Sequence, residues 1–267
     1  MQSSNTMIMG VLNVTPDSFS DGGQYLAIDK ATNQAQLMVD QGADMIDIGG
    51  ESTRPNALQV SIDDEVSRVI PVIKALSKLI SVPISIDTSK AQIMQLAIEA
   101  GASMINDVRA LQAKSSLEVV ASTAKDVCLM HMQGDSKTMQ NNPVYTDVID
   151  EIKHFFDQRI EACIGTGISQ NKIILDPGFG FGKTLNHNLE ILRRLDEFKS
   201  FGLRVLVGMS RKSMIGSMLN NRNTDGRMIG SVTTAIIAFQ NGANIVRVHD
   251  VLETKDAFKV LQSVTGE

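Results

Sequence analysis

Eight short apolar runs recur along this 267-residue chain, and nearly all of them end in residues that can bind a ligand or do chemistry. Helix-like stretches separate the runs, which is the pattern of parallel strands alternating with helices. The runs and their polar ends are 7–12 then Asn13, 44–46 then Asp47, 83–86 then Asp87, 103–105 then Asn106, 126–130 then His131, 172–175 then Asp176, 204–208 then Ser210, and 244–246 then Arg247 and His249. In a (β/α)8 barrel the carboxyl ends of all eight strands meet on one face, which carries the active site. The sequence therefore predicts the α/β fold class, as a (β/α)8 TIM barrel, and the polar layout of an enzyme.

The size and composition of the chain suit one barrel domain covering residues 1–267. A hydrophobic content of 43% and a charged content of 21% are typical of globular proteins. No apolar stretch approaches the roughly 20 residues that span a bilayer, and the amino terminus lacks the features of a signal peptide. With only two cysteines, a disulfide framework is not expected. These features predict a cytoplasmic protein without a membrane partner, and the net charge of −5 argues against a nucleic-acid partner.

Helical periodicity places six helices between the runs and a seventh after the last run, and several of them precede a glycine that suits a helix C-cap. The segment 111–124, between the fourth and fifth runs, is too weakly patterned for a helix to be assigned there. The predicted helices are 31–41, 62–79, 91–100, 148–165, 188–198, 233–241 and 252–261.

The alternation of side chains along a strand sorts the polar ends of the runs. Arg247 and His249 share one face while Val246 and Val248 share the other, and the same rule points Asp87 and Asp176 into the barrel. A buried carboxylate is costly unless it is paired, so a salt bridge of Asp87 or Asp176 with Lys212 or Arg247 is one explanation. The convergence of five polar or charged side chains at one place favours a bound ligand over a salt bridge alone. Two carboxylates and an amide suit a flat heterocycle rich in N–H donors; the five groups are Asp87, Asn106, Asp176, Lys212 and Arg247.

Two loops have the composition of anion-binding sites. Residues 51–55 follow the second run and offer the hydroxyl of Thr53 and the guanidinium of Arg54, while residues 13–23 mix acceptors, hydroxyls and glycines. The same residue types are also common turn formers, which is the alternative for the individual serines and aspartates. A loop of this length at the mouth of a barrel is more often functional.

Two further segments have both a functional and a structural interpretation. In residues 176–184 the glycine spacing does not fit a phosphate-binding P-loop, and we expect the glycines to allow close approach to a bound ring, with Phe181 as a pocket wall. Ser210 stands near a helix start, where free N–H groups bind anions, although a simple N-cap is the alternative. No Cys/His cluster indicates zinc, whereas Mg2+ held by phosphates and one amide or carboxylate oxygen is compatible.

From Met9 to about Val251 the chain closely resembles the dihydropteroate synthase family. The departures are small: Asn56 replaces the glycine usual after Arg-Pro, and Ser136 replaces a common proline. The motifs that carry the resemblance are Asn13-Val-Thr-Pro-Asp-Ser-Phe-Ser-Asp-Gly-Gly, Asp47-Ile-Gly-Gly-Glu-Ser-Thr-Arg-Pro, Ile86-Asp-Thr-Ser, Ile105-Asn-Asp, Met130-His-Met-Gln-Gly, Asp176-Pro-Gly-Phe-Gly-Phe-Gly-Lys, Ser210-Arg-Lys-Ser and Arg247-Val-His-Asp-Val.

The resemblance implies an enzyme of folate synthesis that joins 6-hydroxymethyl-7,8-dihydropterin diphosphate to p-aminobenzoate, giving 7,8-dihydropteroate and pyrophosphate. It also implies a homodimer and a sulfonamide target. The residues it places around the pterin are Asp87, Asn106, Asp176 and Lys212, with Met130 and the plane of Arg247 against the ring faces.

The resemblance also implies which residues bind the diphosphate, the Mg2+ ion and p-aminobenzoate, and which take part in catalysis. Thr53, Arg54, Arg247 and His249 would hold the diphosphate, and Asn13 would ligate Mg2+. Ser210 would receive the carboxylate of p-aminobenzoate, with Phe19, Pro55, Phe181 and the stem of Lys212 around its ring. Asp21 and Asp87 would stabilise a pterin-methyl cation, while Mg2+ and the cationic Lys212, Arg247 and His249 would stabilise the departing pyrophosphate.

Two other functions fit the pterin-holding acids. A methyltetrahydrofolate:corrinoid methyltransferase would share the barrel, but it would not need Thr53, Arg54 or the loop 13–23. A non-catalytic pterin-binding module would not need the intact set of catalytic groups that this chain carries. The sequence therefore favours the synthase over both.

Overall fold

Eight parallel strands close into a barrel in which β1 is hydrogen-bonded to both β2 and β8. The computed structural model describes residues 6–14, 23–52, 60–123, 125–135 and 138–266. The strands are β1 (Met7–Asn13), β2 (Met45–Gly49), β3 (Ile84–Asp87), β4 (Met104–Asp107), β5 (Asp126–Met130), β6 (Ile173–Asp176), β7 (Arg204–Val207) and β8 (Ile245–Val248). Every predicted run overlaps one strand, and the predicted (β/α)8 barrel is confirmed.

Helices connect successive strands and surround the barrel. Three of them, α2, α3 and α5, have both of the ends predicted from the sequence. Local signals explain this: Ser61 accepts a hydrogen bond from the backbone N–H of Asp64, and Asp147 accepts from the first turn of α5. The helices are α1 (Gly23–Asp40), α2 (Ile62–Leu79), α3 (Ala91–Ala100), α4 (Ser116–Thr123), α5 (Val148–Gly165), α6 (Leu185–Arg193), α7 (Ser213–Met218), α8 (Met228–Gln240) and α9 (Val251–Thr265).

The other helical predictions were wrong at one or both ends. Helix α1 begins at Gly23 rather than at residue 31, and α8 begins at Met228 rather than at 233. The helix predicted over 188–198 is divided, since α6 starts after the cap Thr184 and ends before Arg194, and the 3-10 segment Leu195–Phe201 follows. Helix α4 lies in the connection where the sequence pattern was too weak to assign one.

The inside of the barrel is apolar at its amino end. Seven inward side chains form one buried cluster there: Met9, Met45, Met104, Cys128, Ile174, Leu206 and Ile245. Their strand neighbours, such as Ile46, Ile105 and Val246, belong to the larger core between the barrel and the helices. This alternation is the one predicted for a barrel strand, and it leaves the inward positions nearer the carboxyl ends of the strands for polar residues.

Within the described ranges, no helix is long and apolar enough to cross a membrane.

Candidate active site

The cluster of seven inward apolar side chains forms the floor of the barrel, and polar side chains lie directly above this floor. Asp47, Asn106, Asp176 and Arg247 each stand two residues after a member of the floor cluster, on the same strand and the same face. Asp87 ends β3 and is 8% exposed, and Asn106 and Asp176 are buried to a similar degree. The structure therefore brings Asp87, Asp176 and Arg247, which alternation had pointed inward, together with Asp47 and Asn106 on one face of the barrel.

Arg247 joins two of these carboxylates. Its Nε atom lies 2.6 Å from Oδ2 of Asp47, and a terminal nitrogen lies 2.9 Å from Oδ2 of Asp87. Burial raises the pKa of Asp87; Arg247 opposes this rise, and the nearby Asp47 adds to it. Burial lowers the pKa of Arg247, but the two carboxylates together outweigh burial and raise it, so the guanidinium keeps its charge.

Asp47 is a site residue to which the sequence analysis gave no role. Its side chain is fully buried, and its Oδ2 atom also accepts a hydrogen bond of 3.2 Å from Nδ2 of Asn106. Its Oδ1 atom has no hydrogen-bond partner within the described part of the chain, and neither has the hydroxyl of Ser85, its register partner on β3. The available signals were its place directly after the second apolar run and two residues after Met45.

The polar side chains above the floor form a ring, which we call the polar ring. Asp47, Asp87, Asn106 and Arg247 lie on one side of it, and Asp176 and Lys212 lie on the other. Oδ1 of Asp176 accepts a 2.8 Å hydrogen bond from the backbone N–H of Gly178, and burial raises the pKa of the carboxyl while Lys212 opposes the rise. Burial lowers the pKa of Lys212 to about 8, against the opposing effect of Asp176. Nζ of Lys212 donates to the carbonyl oxygen of Phe179 at 2.6 Å.

The salt-bridge explanation for the buried acids holds for only one of the two predicted candidates. Asp87 is paired with Arg247, as that explanation expected. For Asp176, no lysine or arginine nitrogen of the described residues lies within 4.0 Å of its carboxylate. Asp176 is thus a buried acid whose remaining acceptor capacity is left for a ligand.

The glycines of the β6–α6 loop, residues 177–184, allow a close approach between two backbone segments. Gly178 has φ +70°, and a Cβ placed on it would lie 1.9 Å from the carbonyl oxygen of His131. Gly182 has φ +62°, and its Cβ would lie 2.4 Å from the carbonyl oxygen of Gln133. The backbone that follows β5 thus occupies the space beside both glycines, and the close approach of a bound ring to this loop stays a prediction.

The two phenylalanines of this loop have different environments. Phe179 is fully buried in the core around the barrel. Phe181 is half-buried, and Nζ of Lys212 lies 4.3 Å from the centre of its ring. A cation above an aromatic face is attracted by the ring quadrupole. Of the two, Phe181 is thus the one beside the polar ring, and its role as a wall remains a prediction.

Ser210 lies near the start of a helix, as predicted, but it is not the N-cap. The N-cap of α7 is Lys212, whose backbone is extended at φ −67° and ψ 161°, and it makes no side-chain capping bond. The hydroxyl of Ser210 instead accepts from the backbone N–H of His249 at 3.2 Å and lies 3.0 Å from its Nδ1. Ser210 and His249, predicted to contact different substrates, are adjacent.

The remaining described candidates lie at two other strand ends. Met130 is buried at the end of β5 and is the register partner of Asp176. Asn13 is exposed at the end of β1, beside Gly49. Within the described ranges, no group of three His, Cys, Asp or Glu side chains could hold a metal ion.

Several predicted site residues lie outside the described residues. Ser52 and Val60 border the segment 53–59, and the backbone N–H of Val60 donates to the side chain of Glu51 at 3.1 Å. The candidates concerned are Phe19, Asp21, Thr53, Arg54 and Pro55, together with the two departures from the family pattern, Asn56 and Ser136.

The chain is similar to known proteins over nearly its whole length. The profile of a family described as "Pterin binding enzyme" matches residues 9–249. The dihydropteroate synthase of Escherichia coli (strain K12) is 50% identical over 260 residues, which cover 97% of this chain and 92% of that protein.

Solved structures give the same result. The Yersinia pestis dihydropteroate synthase with a sulfonamide drug complex superposes with a TM-score of 0.93 at 50% identity, covering 100% of this chain and 96% of that one. The Xanthomonas albilineans dihydropteroate synthase in complex with 7,8-dihydropteroate superposes with a TM-score of 0.90 at 40% identity, again covering 100% and 96%.

Proposed function

Because this chain belongs to the family of pterin-binding enzymes and catalyses the dihydropteroate synthase reaction, we propose that the polar ring above its barrel floor holds the pterin. In that reaction, 6-hydroxymethyl-7,8-dihydropterin diphosphate condenses with p-aminobenzoate to give 7,8-dihydropteroate and pyrophosphate. The residues proposed to hold the ring are Asp87, Asn106, Asp176 and Lys212, with Met130 and the plane of Arg247 against its faces.

The observation that carries this proposal is that Asp87 forms an ion pair with Arg247, whereas the buried Asp176 forms none within the described residues. Asp176 is buried without an ion pair within 4.0 Å in the described residues, and the backbone N–H of Gly178 donates only to its Oδ1 atom, so donors from a ligand would lower the cost of burying the carboxylate. A pterin edge carries several N–H donors, so it would supply hydrogen bonds to Asp176 and Asn106. Lys212, with its lowered pKa, would donate to an acceptor of the ring.

Diphosphate binding is proposed for Thr53 and Arg54, which lie outside the described residues, together with Arg247 and His249. A guanidinium has five N–H donors, and Arg247 uses one at Asp47 and one at Asp87, which leaves donors for phosphate oxygens. We propose Mg2+ as the cofactor, with the exposed amide oxygen of Asn13 as its ligand from the protein. This fits because Mg2+ retains water and phosphate ligands, and when bound it would offset the charge of the departing pyrophosphate.

The p-aminobenzoate site is proposed beside the pterin. Ser210 is 8% exposed and would donate to the carboxylate, while Phe181 and the stem of Lys212 would flank the ring, together with Phe19 and Pro55 outside the described residues. A sulfonamide drug would compete for the same site, which is supported by the sulfonamide complex of the Yersinia pestis relative.

The proposed chemistry begins with cleavage of the bond between the pterin methylene carbon and the diphosphate oxygen. The bonding electrons leave with pyrophosphate, and Asp87, together with Asp21 outside the described residues, would stabilise the pterin-methyl cation. The amine nitrogen of p-aminobenzoate then bonds to this carbon through its lone pair and loses a proton to solvent. Burial raises the pKa of Asp87 to about 7, and Arg247, which opposes that rise, favours the ionised form that this role needs.

Release of pyrophosphate with and without p-aminobenzoate tests the proposal. We expect release that depends on p-aminobenzoate and an Asp87→Asn variant that folds but turns over at least a hundredfold more slowly. A methyltetrahydrofolate:corrinoid methyltransferase or a non-catalytic pterin-binding module would bind pterin but release no pyrophosphate. The 50% identity to a dihydropteroate synthase favours the synthase over both.

We also propose that residues 1–267 form one domain that works in the cytoplasm as a homodimer. Helices α8 and α9 are adjacent through Phe239 and Phe258, whose ring centres are 5.4 Å apart. Their outer faces carry four exposed aliphatic side chains, and such a patch suits a second copy of the chain: Ile229, Ile237, Val260 and Val264. The cytoplasm is supported by Cys128 and Cys163, which are buried and free. Sedimentation of Ile229→Asp should give a monomer where the unaltered chain gives a dimer.

A further inference from the structure

One oxygen atom of Asp47 receives two hydrogen bonds inside the barrel. Oδ2 accepts from Nε of Arg247 at 2.6 Å and from Nδ2 of Asn106 at 3.2 Å. The carboxylate is fully buried, and it lies on β2, whereas its two partners lie on β8 and β4. A single acceptor therefore ties together two side chains that come from different sides of the barrel.

This contact decides which end of the Asn106 amide faces the ligand. An amide has one end that donates and one that accepts, while an ionised carboxylate only accepts. Because Asp47 takes the Nδ2 end, Oδ1 of Asn106 is the atom left for the cavity. The ring of polar groups above the floor then presents an acceptor at Asn106 as well as at Asp87 and Asp176.

We propose that Asp47 is a positioning residue that makes the site select ligand rings with N–H donors. It does so by holding Asn106 with its Oδ1 atom toward the cavity and by holding Arg247 where it contacts both Asp47 and Asp87. The inference rests on the proposed pterin site. Asp47 itself lies below the ligand, beside the apolar floor, and acts through Asn106 and Arg247. An Asn106 amide that could rotate freely would also bind rings with an acceptor at that position, because it could turn its N–H groups toward them. An amide fixed by Asp47 presents only its oxygen, so rings rich in N–H donors are favoured.

Two substitutions separate the acceptor from the charge. Asp47→Asn keeps one oxygen of nearly the same position, which can accept from both partners, whereas Asp47→Leu has a similar size and no acceptor. We expect Asp47→Leu to raise the Kd of 6-hydroxymethyl-7,8-dihydropterin at least tenfold by calorimetry, and Asp47→Asn to restore it to within about threefold of the unaltered protein. The unphosphorylated ring is the probe because it does not report on phosphate contacts.

A matched control uses a carboxylate at the other end of the barrel. Asp126 begins β5 and accepts from Arg204 at 2.7 Å, so Asp126→Leu also removes a carboxylate–arginine contact. We expect the Kd of the pterin to stay unchanged in this variant. Thermal melts identify any variant that is not folded, and Asp47→Ala, which leaves space for water among polar neighbours, takes the place of Asp47→Leu if that chain does not fold.

A double-mutant cycle distinguishes positioning from general damage. If Asp47 acts mainly through Asn106, Asp47→Leu will weaken pterin binding at least fivefold less in an Asn106→Ala background than in the unaltered chain. Losses that simply multiply, or an Asp47→Leu protein that binds pterin normally, would overturn the inference. An unaltered protein that fails to bind the pterin would instead remove the proposed pterin site itself, so the two failures are distinguishable.

Discussion

Nζ of Lys183 lies 2.9 Å from Nδ1 of His131, beneath the β6–α6 loop. Both side chains are buried, and Nζ also donates to the carbonyl oxygens of Gly178 and Phe181 at 3.0 Å. Burial, reinforced by Lys183, lowers the pKa of His131 to about 2, so the imidazole is neutral and can accept. Burial also lowers the pKa of Lys183. The pair fastens the loop to the end of β5.

Lys183→Met should therefore destabilise the protein and loosen the loop. Methionine has a similar length but cannot donate, and each buried acceptor left unpaired costs about 1–3 kcal/mol. We expect a loss of at least about 2 kcal/mol in the free energy of unfolding, measured with urea, and a higher KM for p-aminobenzoate, because Phe181 is in this loop. Lys259→Met, at an exposed lysine of α9, should change neither quantity.

Gly178→Ala and Gly202→Ala form a matched pair that isolates a steric contact. Both glycines have nearly the same backbone angle, φ +70° and φ +66°, but a Cβ meets the carbonyl oxygen of His131 at Gly178 and nothing within 4 Å at Gly202. The backbone strain should cost about 1–2 kcal/mol in both variants. Gly178→Ala should cost about 1–3 kcal/mol more, because the loop must move away from β5. Equal unfolding free energies would contradict this account.

The inward acids could be predicted because their signal is local. Asp87 and Asp176 each end a short apolar run, and strand alternation decides which face they occupy once the barrel is assumed. The predicted ends of α2, α3 and α5 were correct for a similar reason, since caps such as Ser61 and Asp147 act within one turn. Such features depend only on neighbouring residues.

What could not be predicted depends on residues that are distant in sequence. Asp47 contacts Arg247 across 200 positions, and Lys183 contacts His131 across 52. No local sequence pattern predicts which carboxylate pairs with the buried Arg247, or that the side chain of Lys183 in the glycine-rich loop is buried.

The lowered pKa of Lys212 predicts the alkaline limb of the activity profile. With a pKa of about 8 in the unliganded protein, Lys212 is protonated below that pH and loses its proton as the pH rises through it. The kcat/KM for the pterin diphosphate should fall above about pH 8, because this parameter reports the free enzyme. In Lys212→Arg the remaining activity should lack this limb, since a guanidinium stays charged. The same limb in both proteins would assign it to another group.

Asp176→Asn should weaken pterin binding much more than it weakens folding. Asparagine retains an oxygen for the backbone N–H of Gly178, so the loop contact survives, while the charged acceptor is lost. The cost should be about 1.5–3 kcal/mol of binding free energy, measured by calorimetry beside a thermal melt. Asp44→Asn is the control, because Asp44 also accepts a 2.8 Å backbone hydrogen bond, from Ile8, at the amino end of β2. Normal pterin affinity in folded Asp176→Asn would remove Asp176 from the site.

Arg54→Ala tests the proposed division between ring and diphosphate. Arg54 lies outside the described residues, and its proposed partner is the diphosphate rather than the ring, since a guanidinium suits bidentate contact with phosphate oxygens. The loss of one charge-assisted contact should weaken binding of the pterin diphosphate by about 1.5–3 kcal/mol. The affinity for 6-hydroxymethyl-7,8-dihydropterin should stay within about twofold, because that ligand has no phosphate to lose. Calorimetry with the two ligands, in the presence of Mg2+, gives both values on one preparation. If the two affinities fall together, Arg54 shapes the pterin pocket, and the diphosphate is held by Arg247 and His249 without it.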